Sequence, residues 1–460
     1  MRVHRLVQLA VAAAALGGVG PLAAKDFVLE APSWGAAQSD AVAAAGGSVR
    51  YSHASGLAIV SSDRASFLAD VLAGGAVRSG AADVALQQAP VRVVEAGPIS
   101  EIAVPPTDGF YGYIQWAPQS IGAPAAWAAG YTGRGVRVAV IDGGVHGAHV
   151  DLAANIDAAK ARSFVAGAAG SCEAQWNCDI GTFWHGTHVA GIVAARANGI
   201  GTVGIAPEAT IVPVKALHNG SGSFGSVMAA IVYAATDGGA HIINMSLGAV
   251  VPRGGGNPDA LEVAQLVSMH NRVVNFAARM GVLVISSAGN DGLNYDHLGS
   301  YYKIPAESGN SLAVSATGPL GFGMGANNFA RPASYSSYGN SLVSLAAPGG
   351  DFALEGEAPC TLPRTDGGAP ITRACWVFDM IFSTVRGSGA STASYGWAAG
   401  TSMAAPAASA VAALIKQKYP GITVAALKNR LMNTADDLGK PGQDEFYGRG
   451  YVNAARAVAD

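Results

Sequence analysis

From about Tyr113 the chain alternates two kinds of apolar segment. Short, mainly apolar runs, Val136 to Ile141, Ala209 to Leu217, His241 to Leu247 and Val282 to Ser287, read as strands that are apolar on both faces. Between them, Thr187 to Ala197, Val227 to Ala235 and Val274 to Met280 have helical spacing. Strands buried on both faces and alternating with helices predict a parallel α/β sheet. In such sheets sites collect beyond the carboxyl ends of the strands.

Upstream the rhythm differs. Ser39 to Ala45 and Asp63 to Leu72 read as helices, Gly47 to Tyr51 and Gly56 to Val60 as short strands joined by a polar turn. This predicts a small α+β unit over residues 25–95. Pro-rich, poorly periodic sequence from Ala89 to Asp108 reads as a linker, placed at 96–112, ahead of a main domain at 113–460.

The N-terminus has the three-part form of a secretory signal peptide over residues 1–24. Arg2 and Arg5 precede an uncharged run from Leu6 to Gly20, and small residues end at Ala24. No other stretch reaches the ~18 apolar residues of a spanning helix, so a stable membrane anchor is not expected. Charged residues are only 13% of the chain and the net charge is −3, which argues against nucleic acid as a partner. Exported chains form disulfides. The four cysteines allow three pairings, and the two local ones, Cys172 with Cys178 and Cys360 with Cys375, are expected.

Four segments carry chemistry. Val138-Ala139-Val140-Ile141-Asp142 delivers a carboxylate at a strand end. His185-Gly186-Thr187-His188 opens a helix with histidine, and Gly400-Thr401-Ser402-Met403 opens an Ala-rich helix with serine. Ser287-Ala288-Gly289-Asn290 ends a strand in an amide. A serine hydroxyl needs a base, histidine supplies one near neutral pH, and a buried carboxylate fixes its tautomer. An amide donor binds the oxyanion of a tetrahedral intermediate. Taken singly, each has a plainer role. Asp142 would cap a strand end and Ser402 a helix. His185 with His188, or His146 with His149 and Asp151, would suggest a metal, but a third ligand is missing for the first pair. Gly130, Gly133 and Gly135 precede their strand, whereas a dinucleotide site needs glycines after it.

Together these segments, in the order Asp142, His185, Ser402, resemble the subtilisin-like serine proteases, the subtilases. Val203-Gly204-Ile205-Ala206-Pro207, Asn244-Met245-Ser246-Leu247-Gly248 and Gly448-Arg449-Gly450-Tyr451-Val452-Asn453-Ala454 are also similar to that family. The resemblance spans about Gln115 to Ala455. It implies a three-layer sandwich with a mainly parallel central sheet and a secreted endopeptidase that needs no cofactor for catalysis. Ser402 would be the nucleophile, His185 the base, Asp142 its orienter and Asn290 an oxyanion donor. Polypeptide substrates would bind between two edges, Gly220-Ser221-Gly222 and Ser246-Leu247-Gly248. The α+β unit would be a propeptide that inhibits the enzyme until self-cleavage between about Ala89 and Gly112. A catalytically silent binding relative is the alternative, and such relatives lose a triad member, which this sequence does not. An esterase would need Gly-x-Ser-x-Gly around the serine.

The resemblance carries further expectations. Asp142-Gly143-Gly144 departs from the family, which has a hydroxyl residue after the aspartate. The excess sequence between Pro348 and Ala399 would form a surface loop closed by Cys360 and Cys375. A structural calcium would be held by Asp151, the Asn198 side chain and the carbonyls of Arg196, Ile200 and Thr202, with Gln115 a candidate partner; a glycine-rich helix stop is the reading without an ion. Lys303 falls near the base of the primary specificity pocket. There it would either attract acidic side chains or, as preferred, snorkel outward and leave the pocket apolar.

Overall fold

The computed structural model describes residues 24–88, 91–98, 113–253, 260–365, 368–387 and 394–460. Apart from Ala24, the expected signal peptide lies outside the described residues, as does the linker from 99 to 112.

Seven strands form one parallel sheet in the order Leu345–Pro348, Ser311–Thr317, Leu283–Ser287, Ile242–Met245, Arg137–Asp142, Thr210–Lys215, Arg162–Ser163. Side chains alternate across it. Val138 and Val140 pack with the helices His185–Ala194 and Thr401–Lys418, and Ala139 and Ile141 pack with Phe224–Ala235 and Ala260–Arg279. Two helical layers around a parallel sheet make the expected three-layer sandwich. Burial on both faces explains why these strands read as continuous apolar runs.

The helix Ala260–Arg279 is far longer than its sequence signal, which begins only at Val274. Its inward stripe runs Val263, Leu266, Val267, His270, Val273, Val274 and Ala277, and the buried His270 interrupts the apolar spacing. The helix Thr401–Lys418 is buried from Thr401 through Ile415. Its many alanines allow it to run through the core without large side chains.

The N-terminal unit is a four-stranded antiparallel sheet, in the order Ser48–Ser52, Leu57–Ser62, Lys25–Glu30, Ser79–Ala82, with the helices Ala36–Ala44 and Phe67–Ala73. The first and last strands escaped the sequence reading because KDFVLE is polar-ended and SGAA has no bulk. One face, with Val28, Leu57, Ile59 and Ala81, packs into the core shared with Phe224–Ala235. Glu30 makes a two-point ion pair with Arg272 at 2.5 Å, and Asp83 Oδ1 accepts from Gly225 N at 2.9 Å at the start of the helix Phe224–Ala235. Part of the segment read as linker is ordered: Arg92–Pro98 pairs antiparallel with Ser394–Ala399, which also pairs with Ile381–Val385.

The excess sequence before Ser402 is likewise more than a surface loop. A hairpin of Pro359–Leu362 and Ile371–Ala374 leads into strands around a separate core of Cys360, Cys375, Phe378, Phe382, Tyr395 and Trp397. Aromatic burial, and not the cross-link alone, shapes this region.

Candidate active site

Asp142 ends the central strand Arg137–Asp142 and is 1% exposed. Its Oδ1 accepts from Gly143 N at 2.7 Å. His185 opens its helix, with Nδ1 at 3.0 and 2.9 Å from the two Asp142 oxygens. A carboxylate only accepts, so Nδ1 carries the ring proton and Nε2 is left with its lone pair. The residue before it, Trp184, has φ 44°, a left-handed conformation costly for a bulky side chain, and its indole N–H donates to Gly181 O at 3.0 Å.

Ser402 is the second residue of the helix Thr401–Lys418, is buried, and donates from Oγ to Ser246 O at 3.2 Å. Asn290 follows the strand Leu283–Ser287. Its Oδ1 accepts from Thr401 N at 2.9 Å and Thr401 Oγ1 at 2.8 Å, which fixes the amide orientation and leaves the NH2 end as the donor. Asn290 and Ser402 line one small cavity with Ser246, Gly248, Gly289 and Lys303. Asp142 and Asn290 thus stand at the carboxyl ends of two strands that flank Ile242–Met245, with Asp142 bonded to His185 and Asn290 sharing a cavity with Ser402.

The edge Gly220-Ser221-Gly222 already carries an extended chain. Ala85–Gln87 pairs antiparallel with Ser221–Ser223, and Gln88 N donates to Gly220 O at 2.8 Å. The Gln88 side-chain N–H lies 3.1 Å from His185 Nε2 and 2.9 Å from Ser246 O. It also lies 2.9 Å from Nδ1, so the amide nitrogen sits over the face of the imidazole ring, and Ser246 O is its acceptor. Ser246 thus supplies its carbonyl to both Gln88 and Ser402, and Gly248 lines the cavity. Nothing in the sequence pattern distinguished Gln88.

A profile of the subtilase family matches residues 133–450. The chain belongs to the subtilase family. Subtilisin Savinase from Lederbergia lenta is 35% identical over 346 residues, covering 75% of this chain and 98% of that one. Among solved structures, a protease from Pseudoalteromonas arctica is 30% identical with a TM-score of 0.55, covering 74% of this chain and 93% of its own. The epidermin leader peptide processing serine protease of Staphylococcus aureus shares the fold over 95% of this chain and 98% of its own, with TM-score 0.69 at 21% identity. This subtilase is a serine endopeptidase.

At its departure, Gly143-Gly144, the chain runs close beneath a neighbouring loop. A Cβ on Gly143 would lie 2.4 Å from Asp179 Oδ2, and one on Gly144 2.8 Å from Cys178 O. The loop closed by Cys172 and Cys178, S–S 2.07 Å, rests on these glycines. Lys215 holds that loop from beneath. It is 1% exposed, and its Nζ donates to Cys172 O at 2.9 Å and to Cys178 O. Burial lowers its pKa. The sequence reading passed over it as part of a strand. The second bridge, Cys360 to Cys375, is also formed.

His188 turns away from His185. Its Nε2 lies 3.1 and 3.2 Å from the carbonyls of Ile381 and Gly396, and full burial lowers its pKa to about 3. It is a neutral core residue. Among the described residues no group of three or more His, Cys, Asp or Glu could hold a metal.

The residues expected to bind calcium do not fit a cation. Asp151 is fully buried, and donors converge on its carboxylate: Asn198 Nδ2 at 3.0 Å on Oδ1, Thr202 N at 3.1 Å and Tyr395 Oη at 2.8 Å on Oδ2. Asn198 Oδ1 faces Ile200 N at 3.2 Å instead. Arg196 enters through its N–H to Asp151 O at 2.9 Å. Gln115 uses both ends of its amide on Val203, at 2.6 and 3.1 Å. A calcium ion needs six to eight oxygens presenting lone pairs. Here hydrogens point at the one carboxylate, and a tyrosine hydroxyl from the extra strand Ser394–Ala399 supplies one of them.

Lys303 does not snorkel outward. It is 3% exposed, its Nζ is bonded to Asp291, and it lines the cavity beside Ser402.

Proposed function

We propose that this subtilase is exported as a precursor and hydrolyses peptide bonds through Asp142, His185 and Ser402. The observation that carries the reading is the His185 Nδ1–H held by buried Asp142, with Ser402 and Asn290 on one cavity beside it. Ser402 Oγ attacks the scissile carbonyl and His185 Nε2 takes its proton. The oxyanion is met by the Asn290 NH2 and the Ser402 N–H at a helix start. The imidazolium, stabilised by Asp142, returns the proton to the leaving amine. Water then enters by the same base and releases the acyl group. The main chain of a substrate adds as a strand to the Gly220–Gly222 edge, where Ala85–Gln87 now lies.

The N-terminal unit acts as an intramolecular inhibitor in this reading. Gln88 covers the face of the His185 ring, and Ser402 Oγ is bonded elsewhere, to Ser246 O. Gln88 at His185 and Val91 near Gly400 bracket the serine, which supports self-cleavage at the start of the interval from Ala89 to Gly112. The Arg2, Arg5 and Leu6–Gly20 pattern supports export. Calcium has no part in this reading, because hydrogen-bond donors fill the Asp151 carboxylate.

Fluorophosphonate labelling of full-length wild type and Ser402→Ala tests the proposal, with mass spectrometry of the mature N-terminus. Labelling and processing should both disappear in the variant. Folded wild type that takes no label would refute it.

A further inference from the structure

The cavity beside Ser402 is lined by Lys303, which is held in an ion pair. Lys303 lies on the strand Tyr301–Ile304, which pairs with Ala249–Pro252. Its ammonium is bonded to Oδ2 of Asp291, the residue after Asn290. Tyr295 Oη and Ser337 Oγ donate to the same oxygen at 3.2 and 3.3 Å, and the Tyr295 ring centre lies 5.7 Å from Nζ. The lysine is therefore fixed by a partner that is itself fixed. Gly289 rests directly on it: a Cβ there would come 2.4 Å from Lys303 Cε and 2.5 Å from Nζ.

Little space remains. With Gln88 in place the cavity keeps about 10 Å³. Gln88 and Lys303 both line it, so withdrawal of Gln88 widens the space and leaves the fixed lysine as part of its wall.

We propose that the Lys303–Asp291 pair restricts cleavage to bonds that follow small uncharged side chains, such as alanine, glycine and serine. This rests on the protease reading above. A phenylalanine or leucine would have to push the ammonium off its carboxylate and bury apolar surface against a charge. A glutamate gains nothing from Lys303, because Asp291 already neutralises it and would repel a second carboxylate. The chain's own residues between Gln88 and Val91 are Ala89 and Pro90, which are small and uncharged.

The test is hydrolysis, by the full-length chain as expressed, of peptides that differ only in the residue before the scissile bond. In wild type, kcat/KM for alanine should exceed that for phenylalanine and for glutamate by about tenfold or more. Lys303→Ala should raise the phenylalanine-to-alanine ratio by about tenfold. Asp291→Asn, which strips the lysine of its partner, should raise the glutamate-to-alanine ratio and leave phenylalanine excluded. Equal wild-type rates after alanine and phenylalanine would overturn the inference and leave the protease reading standing. No hydrolysis of any peptide, with no fluorophosphonate label, would overturn both. The wild-type ratios decide the matter even where a variant fails to fold.

Discussion

The side-chain nitrogen of Gln88 lies over the His185 ring, 2.9 Å from Nδ1 and 3.1 Å from Nε2, and donates to Ser246 O at 2.9 Å. In the intact chain the proposed base is thus covered, and Ser402 Oγ is bonded to Ser246 O. A neutral hydrogen bond is worth about 1–1.5 kcal/mol, so Gln88→Ala should raise the initial fluorophosphonate labelling rate of freshly folded full-length chain by up to about tenfold. Time-resolved in-gel fluorescence measures this. An unchanged rate would mean that backbone pairing at Ser221–Ser223, not the side chain, keeps the site closed.

Asp142→Asn keeps the shape of the site but allows the wrong imidazole tautomer, and kcat should fall by about 10⁴. Asn290→Ala should cost about 10²–10³ in kcat, the range established for a subtilisin, with KM little changed. Steady-state kinetics on one peptide separates the two. A KM effect without a kcat effect for Asn290→Ala would remove it from the oxyanion site.

Tyr395 replaces what an ion would do at Asp151. Tyr395→Phe removes a donor from a buried carboxylate and should destabilise the fold by about 1.5–3 kcal/mol, measured by denaturant unfolding. Chelator and millimolar calcium should give the same melting temperature in the wild type. A calcium-dependent rise would show that the ion displaces the tyrosine.

His270 is buried, with its Nδ1 3.2 Å from Ser308 Oγ and no partner for Nε2 among the described residues. Burial lowers its pKa to about 4. The unfolded histidine, near 6.5, therefore takes up its proton first as the pH falls, and stability present above pH 6.5 is lost toward pH 4. Between pH 7.5 and 5 this one residue should cost about 2 kcal/mol. Buried Asp379, raised to about 6 chiefly by desolvation, acts in the opposite direction over the same range. The comparison is therefore between wild type and His270→Leu: the variant should lose less stability between those two pH values. Parallel pH profiles for the two proteins would refute the assignment.

Cys360→Ser with Cys375→Ser should destabilise the fold by about 3 kcal/mol in the chain-entropy account of a 15-residue loop. Reduction of the wild type, which opens Cys172–Cys178 as well, should cost at least as much in the same unfolding assay. The aromatic cluster of Phe378, Phe382, Tyr395 and Trp397 should keep the region folded in the variant, with indole fluorescence still buried.

The pattern along the chain is enough to locate the parallel sheet and its central strands, and it singles out the proposed triad. Val138 to Ile141 and Leu283 to Ser287 are apolar on both faces because both faces are covered, and that burial is written residue by residue. Asp142, His185 and Ser402 stand at element ends, where local pattern changes are sharpest. The tertiary structure alone decided what each group faces. Gln88 is 97 residues from His185, Asp291 lies 12 from Lys303, and Tyr395 is 244 from Asp151. No local periodicity records such partners. Lys303 looked free to reach solvent until Asp291 and Gly289 closed over it. Asp151 looked like a calcium ligand until a strand from a later, aromatic-rich segment brought it a hydroxyl. Hydrophobic pattern encodes whether a position is buried, because burial acts on each side chain alone. Hydrogen bonds and ion pairs act between two groups, and only the fold determines which two meet.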